Sequence, residues 1–250
     1  MPAPAKPKPV LHIVQLLPNC LTVIALCAGL TAIRFSIQGE YWLSVGLIVL
    51  AALLDALDGR LARLLKSESA IGAELDSLGD FVNFGVTPAL TLYWWGMQSA
   101  ADVGWIAVLV YCTCCVLRLA RFNVSAREPA AIALKDQFTG VPAPAGALLV
   151  MLPIYVGYQF PNLPHMPAWA VAIYMGLVGA LMISRISTPS LKSVHIYAEN
   201  ARFLVVGFVA LVAAIVTYPW ITLAVLDLGY MIYVIYDWRH RHLQKTSGDL

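Results

Sequence analysis

Residues 41–62 read YWLSVGLIVLAALLDALDGRLA. The first part, Tyr41 to Leu54, carries no charge, and Asp55 and Asp58 follow within the same run. A helix needs roughly 20 apolar residues to cross a hydrocarbon core. This stretch has that length, and its charges gather at one end, where a span would meet the headgroups. Working outward, seven further stretches share the pattern, at about 19–37, 75–97, 103–122, 142–160, 167–184, 201–217 and 220–237. Turn-forming or polar residues separate them, among them Gln38-Gly39-Glu40, Lys66-Ser67-Glu68-Ser69 and Tyr218-Pro219. The last pair is so close that it predicts a tight helical hairpin.

Composition agrees. Of the 250 residues, 60% are hydrophobic and 12% charged. A soluble domain carries about 25% charge, and a soluble core cannot absorb so much apolar surface. The expected fold is therefore all-α, a polytopic transmembrane bundle of about eight spans. The transmembrane domain is expected at 18–238, after a cytoplasmic segment 1–17 with a short interfacial helix and before a cytoplasmic tail 239–250. No cleavable signal peptide is apparent, since Met1 to Val10 is rich in Pro, Ala and Lys. The five cysteines, Cys20, Cys27, Cys112, Cys114 and Cys115, all fall in apolar stretches. They read as small buried residues rather than zinc ligands or disulfide partners. No nucleic-acid partner is expected.

Charge placement orients the bundle. With the N-terminus inside, segments 6–8, 60–66, 118–135, 185–202 and 239–245 face the cytoplasm. They hold fifteen of the sixteen Lys and Arg, leaving Arg34 alone on the other side. Such asymmetry follows the positive-inside rule and predicts both termini in the cytoplasm. Tyr41, Trp42, Trp94, Trp95, Trp105, Trp169, Trp220 and Trp238 lie near span ends, where aromatic belts form.

Four acids interrupt this apolar chain near its basic face. Asp55 and Asp58 are spaced i, i+3, and Asp76 and Asp80 i, i+4, so each pair shares a helix face. The short connection makes the two helices antiparallel neighbours, and both pairs can converge on one cavity. Four converging carboxylates repel strongly unless a cation or protons intervene. An all-oxygen donor set selects Mg²⁺, Mn²⁺ or Ca²⁺ over zinc. Gly59 and Gly72 would let a ligand approach closely, and Arg63 can meet phosphate oxygens. Two other readings stay open here: interfacial salt bridges to Arg60, Arg63 and Lys66, or an ion pathway of a transporter. The acids sit at one face and no internal repeat is visible, whereas a transporter commonly places its site near the midplane between repeats.

The stretch Asp55-x2-Asp58-Gly59-x2-Ala62-Arg63-x8-Gly72-x3-Asp76-x3-Asp80 resembles the CDP-alcohol phosphotransferase family signature at every fixed position. The resemblance implies a six-helix catalytic core with two divalent ions, Mg²⁺ or Mn²⁺. It implies Asp55, Asp58, Asp76 and Asp80 as metal ligands, with Asp80 also the general base. Asp58, Gly59, Ala62, Arg63 and Gly72 would line the site of the CDP-linked lipid. Further stretches, Leu75 to Ala89, Arg118 to Asn123, Phe138 to Pro144 and Met182 to Ser187, look like the membrane-type phosphatidylserine synthases of that family. Gly79 and Asn83 depart from it, standing where Ala and Ser are expected.

That likeness implies transfer of a phosphatidyl group from CDP-diacylglycerol to L-serine, giving phosphatidylserine and CMP, in a bacterial inner membrane. Choline, glycerol 3-phosphate or an inositol phosphate are the alternative acceptors within the family. A homodimer among membrane lipids is also expected. Candidate acceptor or phosphate contacts are Arg118, Arg121, Asn123, Asn83, Thr139, Arg185 and Lys192. For the basic ones the competing reading is anchoring at the membrane surface.

Overall fold

The computed structural model describes residues 16–65, 67, 69–127, 137–164, 166–184, 187–189 and 201–247. The expected interfacial helix within 1–17 lies almost wholly outside the described residues, as do Lys66, Arg185 and Lys192.

The chain is a bundle of helices: α1 (Leu17–Ile37), α2 (Tyr41–Leu64), α3 (Ala70–Asp80), α4 (Thr87–Gly96), α5 (Ala101–Arg127), α6 (Ala143–Val150), α7 (Leu152–Gln159), α8 (Ala168–Ile183), α9 (Ala201–Thr217) and α10 (Pro219–Ser247). A π-helical segment, Phe81–Val86, joins α3 to α4 without a break in the rod. With α3–π–α4 and α6–α7 each counted as one rod, the described helices make eight rods where about eight spans were expected. Among the described residues, Leu17–Ile37, Tyr41–Leu64, Gln98–Ser125 and Pro219–Asp237 are long and apolar enough to cross a membrane. Ala143–Gln159 and Ala168–Ile183 are shorter apolar helices.

The ends differ in detail from the sequence reading. The third rod begins at Ala70 rather than near 75, and α5 runs on to Arg127. The final helix passes without interruption through 238, where a tail was expected to begin. Polar residues extend these helices because their backbone bonds are satisfied internally whether lipid or water surrounds them. One feature is not helical. Gln137–Thr139 pairs antiparallel with Ser187–Pro189, Thr139 opposite Ser187.

Local chemistry explains the turns. After α1, Gly39 adopts φ +82°. Its N–H donates to Ser36 O (3.1 Å) and that of Glu40 to Phe35 O (2.9 Å). This is a Schellman closure, which favours glycine because a Cβ disfavours the left-handed conformation. It sets α1 against α2 along the most extensive seam of the bundle. Buried hydroxyls of Ser36, Ser44 and Thr91 then bond one another at 2.7–3.0 Å, tying α1, α2 and α4 together. Such bonds contribute about 0.6 kcal/mol each between membrane helices.

Two prolines interrupt rods, and the same device mends both. Pro88 has no N–H to give the carbonyl of Phe84, four residues earlier. The Tyr111 hydroxyl, from α5, donates to that carbonyl instead (3.1 Å). Pro153 likewise leaves Leu149 O free, and the Tyr174 hydroxyl from α8 takes it. In lipid an orphan carbonyl would cost several kcal/mol, so each tyrosine fixes which helix packs against the break. Tyr111 and Tyr155 are among the largest fully buried side chains.

Aromatic residues collect at one end. The Tyr41 hydroxyl donates to Trp94 O (2.9 Å), and Tyr158 stacks on Trp220 with centroids 4.4 Å apart. These residues lie at helix ends away from Asp55 and Asp80.

Candidate active site

Helices α2 and α3 are joined by residues 65–69, and α1 packs on both. Ser69 caps α3, its hydroxyl accepting from Gly72 N–H (3.0 Å). Fixing this first turn sets the rotation of α3, and with it the direction of Asp76 and Asp80.

The two helices bring three carboxylates to a point. Oxygens from Asp55, Asp76 and Asp80 lie within 4.8 Å of one another, all three residues partly buried. Asp58 is more deeply buried, at 3% exposure. Its Oδ2 accepts from the Thr22 hydroxyl of α1 at 2.7 Å. Its charge acts on Asp76 together with that of Asp55. Asp58 Oδ1 and Asp80 Oδ1 are buried with no hydrogen-bond partner among the described residues. Two unit charges about 4 Å apart still repel by about 4 kcal/mol at an effective dielectric of 20. Orphaned carboxylate oxygens at a convergence of like charges are a donor set made for a cation. The ligands are all oxygen, which suits Mg²⁺ or Mn²⁺.

The salt-bridge reading fares poorly on Arg63. That side chain folds back on its own helix, its Nε donating to Gly59 O (3.0 Å). The acids face each other instead. Around Gly59 the space is open, and a Cβ there would meet nothing within 4 Å. Gly72 is crowded by contrast. A Cβ would meet Asn19 Oδ1 at 2.9 Å and Ser69 Oγ at 3.0 Å, so a larger residue there would push on the α1 side chain and on the cap. Ala62 is half-buried on α2, one turn beyond Asp58.

The structure separates the two arginines that sequence spacing put together. Arg118 is half-buried, and its charge reaches Asp80 and Tyr230. Arg121 is exposed and donates from Nη1 to Ile183 O (3.2 Å), closing the C-terminal end of α8. Asn123 Nδ2 donates to Ser77 Oγ (2.7 Å) and so ties α5 to the turn of α3 between Asp76 and Asp80. Asn83 is buried, with its Oδ1 against Gly29, where a Cβ would overlap it. Thr139 lies in the short ribbon beside Ser187. Arg185 and Lys192 were noted above as outside the described residues.

Sequence reasoning gave no site role to Thr22, Ser77 or Tyr230. A hydroxyl inside an apolar span is a weak signal, because it can bond its own helix. Thr22 does that too, to Pro18 O (3.1 Å).

Similarity to known proteins adds the family. Residues 15–235 match the model of the CDP-alcohol phosphatidyltransferases. The chain belongs to that family. Members depend on divalent metal, and the acid cluster provides the matching donors. Relatives include the CDP-diacylglycerol–serine O-phosphatidyltransferase of Mycobacterium leprae, 41% identical over 223 residues, covering 88% of this chain and 73% of the relative. The enzyme of the same name from Mycobacterium tuberculosis is 39% identical over 221 residues, covering 88% and 77%. That from Methanocaldococcus jannaschii is 37% identical over 216 residues, covering 86% and 90%. The chain is thus an integral membrane phosphatidyltransferase.

Proposed function

We propose that this family member transfers the phosphatidyl group of CDP-diacylglycerol to the hydroxyl of L-serine, releasing CMP and phosphatidylserine. The observation that carries the reading is the convergence of Asp55, Asp76 and Asp80 within 4.8 Å. The acceptor is supported by the relatives, whose names specify serine.

Asp55, Asp58, Asp76 and Asp80 would hold two divalent ions, Mg²⁺ or Mn²⁺. When bound, such ions neutralise the diphosphate and stabilise the departing phosphate charge. The open side of α2 at Gly59, with small Ala62 a turn further on, leaves room for the cytidine diphosphate. Arg63 stands at the same mouth and can release Gly59 O to meet a phosphate.

Asp80 acts as the base. Its buried Oδ1 has no hydrogen-bond partner among the described residues, so it can take the proton of the serine hydroxyl. The serine oxygen forms its bond to the β-phosphorus as the bond from that phosphorus to CMP breaks. Arg118 supplies the cation for the serine carboxylate or the transferred phosphate. Of the two candidate arginines, it is the half-buried one, while Arg121 is exposed and engaged at the end of α8. Asn123 holds Ser77, and through it the turn that carries both α3 acids.

The basic segments support a cytoplasmic face for this site in a bacterial inner membrane, with both termini inside. A homodimer is part of the same reading. The test is CMP release by purified protein with CDP-diacylglycerol and Mn²⁺ or Mg²⁺, offered serine, choline or glycerol 3-phosphate in parallel. Release with serine alone is expected. Release only with another acceptor would reassign the substrate and keep the class.

A further inference from the structure

Asp80 ends α3, and the six residues after it, Phe81–Val86, are π-helical, with Thr87 N–H donating to Val82 O five residues back. Such turns are rare and gather at functional sites. A π-turn holds one residue more than the α-helical turn it replaces, so the helix before it is rotated by about 100° relative to the helix after it. The helix after it is anchored, because Thr91 of α4 bonds both Ser36 and Ser44. Were the turn to relax to α-helical register with α4 fixed, α3 would swing by that angle and carry Asp80 away from Asp55. The convergence of the acids therefore depends on what holds the turn.

Two helices grip it. From α5, the Tyr111 hydroxyl donates to Phe84 O (3.1 Å) and the Cys112 thiol to Gly85 O (3.6 Å). Cys115 lies against Gly85, where a Cβ would come within 3.1 Å of its Sγ. From α1, Gly29 O accepts from the Thr87 hydroxyl (3.3 Å), and Asn83 fills the space a side chain at Gly29 would take. Phe84, Tyr111 and Cys115 are wholly buried. In lipid a freed carbonyl has no water to turn to, so the donors of α5 fix where the turn sits. Tyr111, Cys115 and Arg118 follow at i, i+4 and i+7 and share one face of α5. The face that grips the turn thus also carries Arg118.

We propose that Tyr111 is a positioning residue of the transfer reaction: by holding the π-turn through Phe84 O, it aims Asp80 at Asp55. This rests on the proposed function, in which Asp80 is base and metal ligand. The bundle carries its own control. Tyr174 serves Leu149 O at Pro153 in the same way, but the α6–α7 rod holds none of the four acids. A bond that only stabilises the fold would count alike at both prolines. One that sets the direction of Asp80 counts for turnover at Tyr111 alone.

The test removes one hydroxyl at a time. Tyr111→Phe and Tyr174→Phe each keep the ring, and both should stay folded in detergent. Tyr111→Phe should lower kcat by at least about tenfold, the scale of a misplaced reacting group, with KM for CDP-diacylglycerol within about twofold. It should also weaken Mn²⁺ binding about tenfold, measured by electron paramagnetic resonance without substrate. Tyr174→Phe should leave kcat and Mn²⁺ binding within about twofold. Equal kinetic losses in the two variants, or Mn²⁺ binding unchanged in Tyr111→Phe, overturn the proposal. If Tyr111→Phe does not fold, the weaker donor to the same turn takes its place. Cys112→Ala should then lower kcat by about threefold, and Cys112→Ser, which keeps a donor for Gly85 O, should restore it. Wild-type kcat in Cys112→Ala, or no recovery in Cys112→Ser, overturns the proposal as well. Failure of the underlying reading looks different: there Asp80→Asn itself keeps its rate, whatever the tyrosines do.

Discussion

Two parts of this bundle bury carboxylates in apolar helices, and they keep different company. On α2 and α3, three acids converge within 4.8 Å, with a fourth held behind them by Thr22. On α10, Asp227 stands alone, 6% exposed, near the tyrosines Tyr155 and Tyr174. Its Oδ2 is also buried without a hydrogen-bond partner among the described residues. Burial of an acid is thus common to both regions and does not identify chemistry. Convergence does. A lone buried carboxyl is relieved by one proton or one donor, whereas several aimed at one point need a cation as well. The acid cluster also has a cation within reach, Arg118. Among the described residues the α10 acid has only tyrosines near it, of which Tyr174 is already engaged at Leu149 O.

The comparison can be broken at its strongest point. Asp80→Asn should cut CMP release by about three orders of magnitude, the range of a lost general base or metal ligand. The protein should stay folded, as judged by its elution and thermal melt in detergent. A near-normal rate would end the claim that this cluster is the reaction centre. Arg118→Ala is expected to lower kcat/KM for serine by about fiftyfold, since a charged hydrogen-bond partner is removed from a half-buried site. Arg121→Ala should leave kcat/KM within about threefold and cost about 1 kcal/mol of stability, as befits a contact at a helix end. Equal kinetic losses at both positions would restore the symmetric reading of the pair. Thr22→Val should raise the Mn²⁺ concentration needed for half-maximal rate by about tenfold, the usual scale for a group that orients a ligand. The mildest change is expected at Asp227. Asp227→Asn keeps the shape and removes only the charge, so the rate should stay within about twofold. A large loss there would show that convergence is the wrong criterion.

Much of this architecture was legible in the sequence because a bilayer permits so few solutions. Spans must be helical, about twenty residues long and bounded by polar punctuation. The hairpin at Tyr218-Pro219 and the Gly39 turn were visible for that reason. The acid cluster was legible too, because i, i+3 and i, i+4 spacings fix a helix face. What the sequence could not show was which groups meet across helices. Pro88 and Pro153 are plain in the text, but the tyrosines that serve their orphaned carbonyls come from α5 and α8. Arg118 and Arg121 share a helix face by spacing, and only the end of α8 at Ile183 parts them. The π-helical stretch after Asp80 adds a wider turn that no pattern of apolar residues announced. It turns Asn83 toward Gly29. The ribbon formed by Gln137–Thr139 and Ser187–Pro189 joins segments about fifty residues apart. Each is too short for its own period to register. Asp227 drew no notice because it has no second acid at helical spacing.

The central claim is that carboxylates from α2 and α3 meet to hold divalent cations. Binding of Mn²⁺ to the purified protein, followed by electron paramagnetic resonance without substrate, tests it apart from turnover. Wild-type protein should bind Mn²⁺ saturably in competition with Mg²⁺. Asp55→Asn, Asp76→Asn and Asp80→Asn should each weaken that binding by at least about tenfold, and Asp227→Asn should leave it unchanged. Binding that persists undiminished in all three cluster variants would contradict the account.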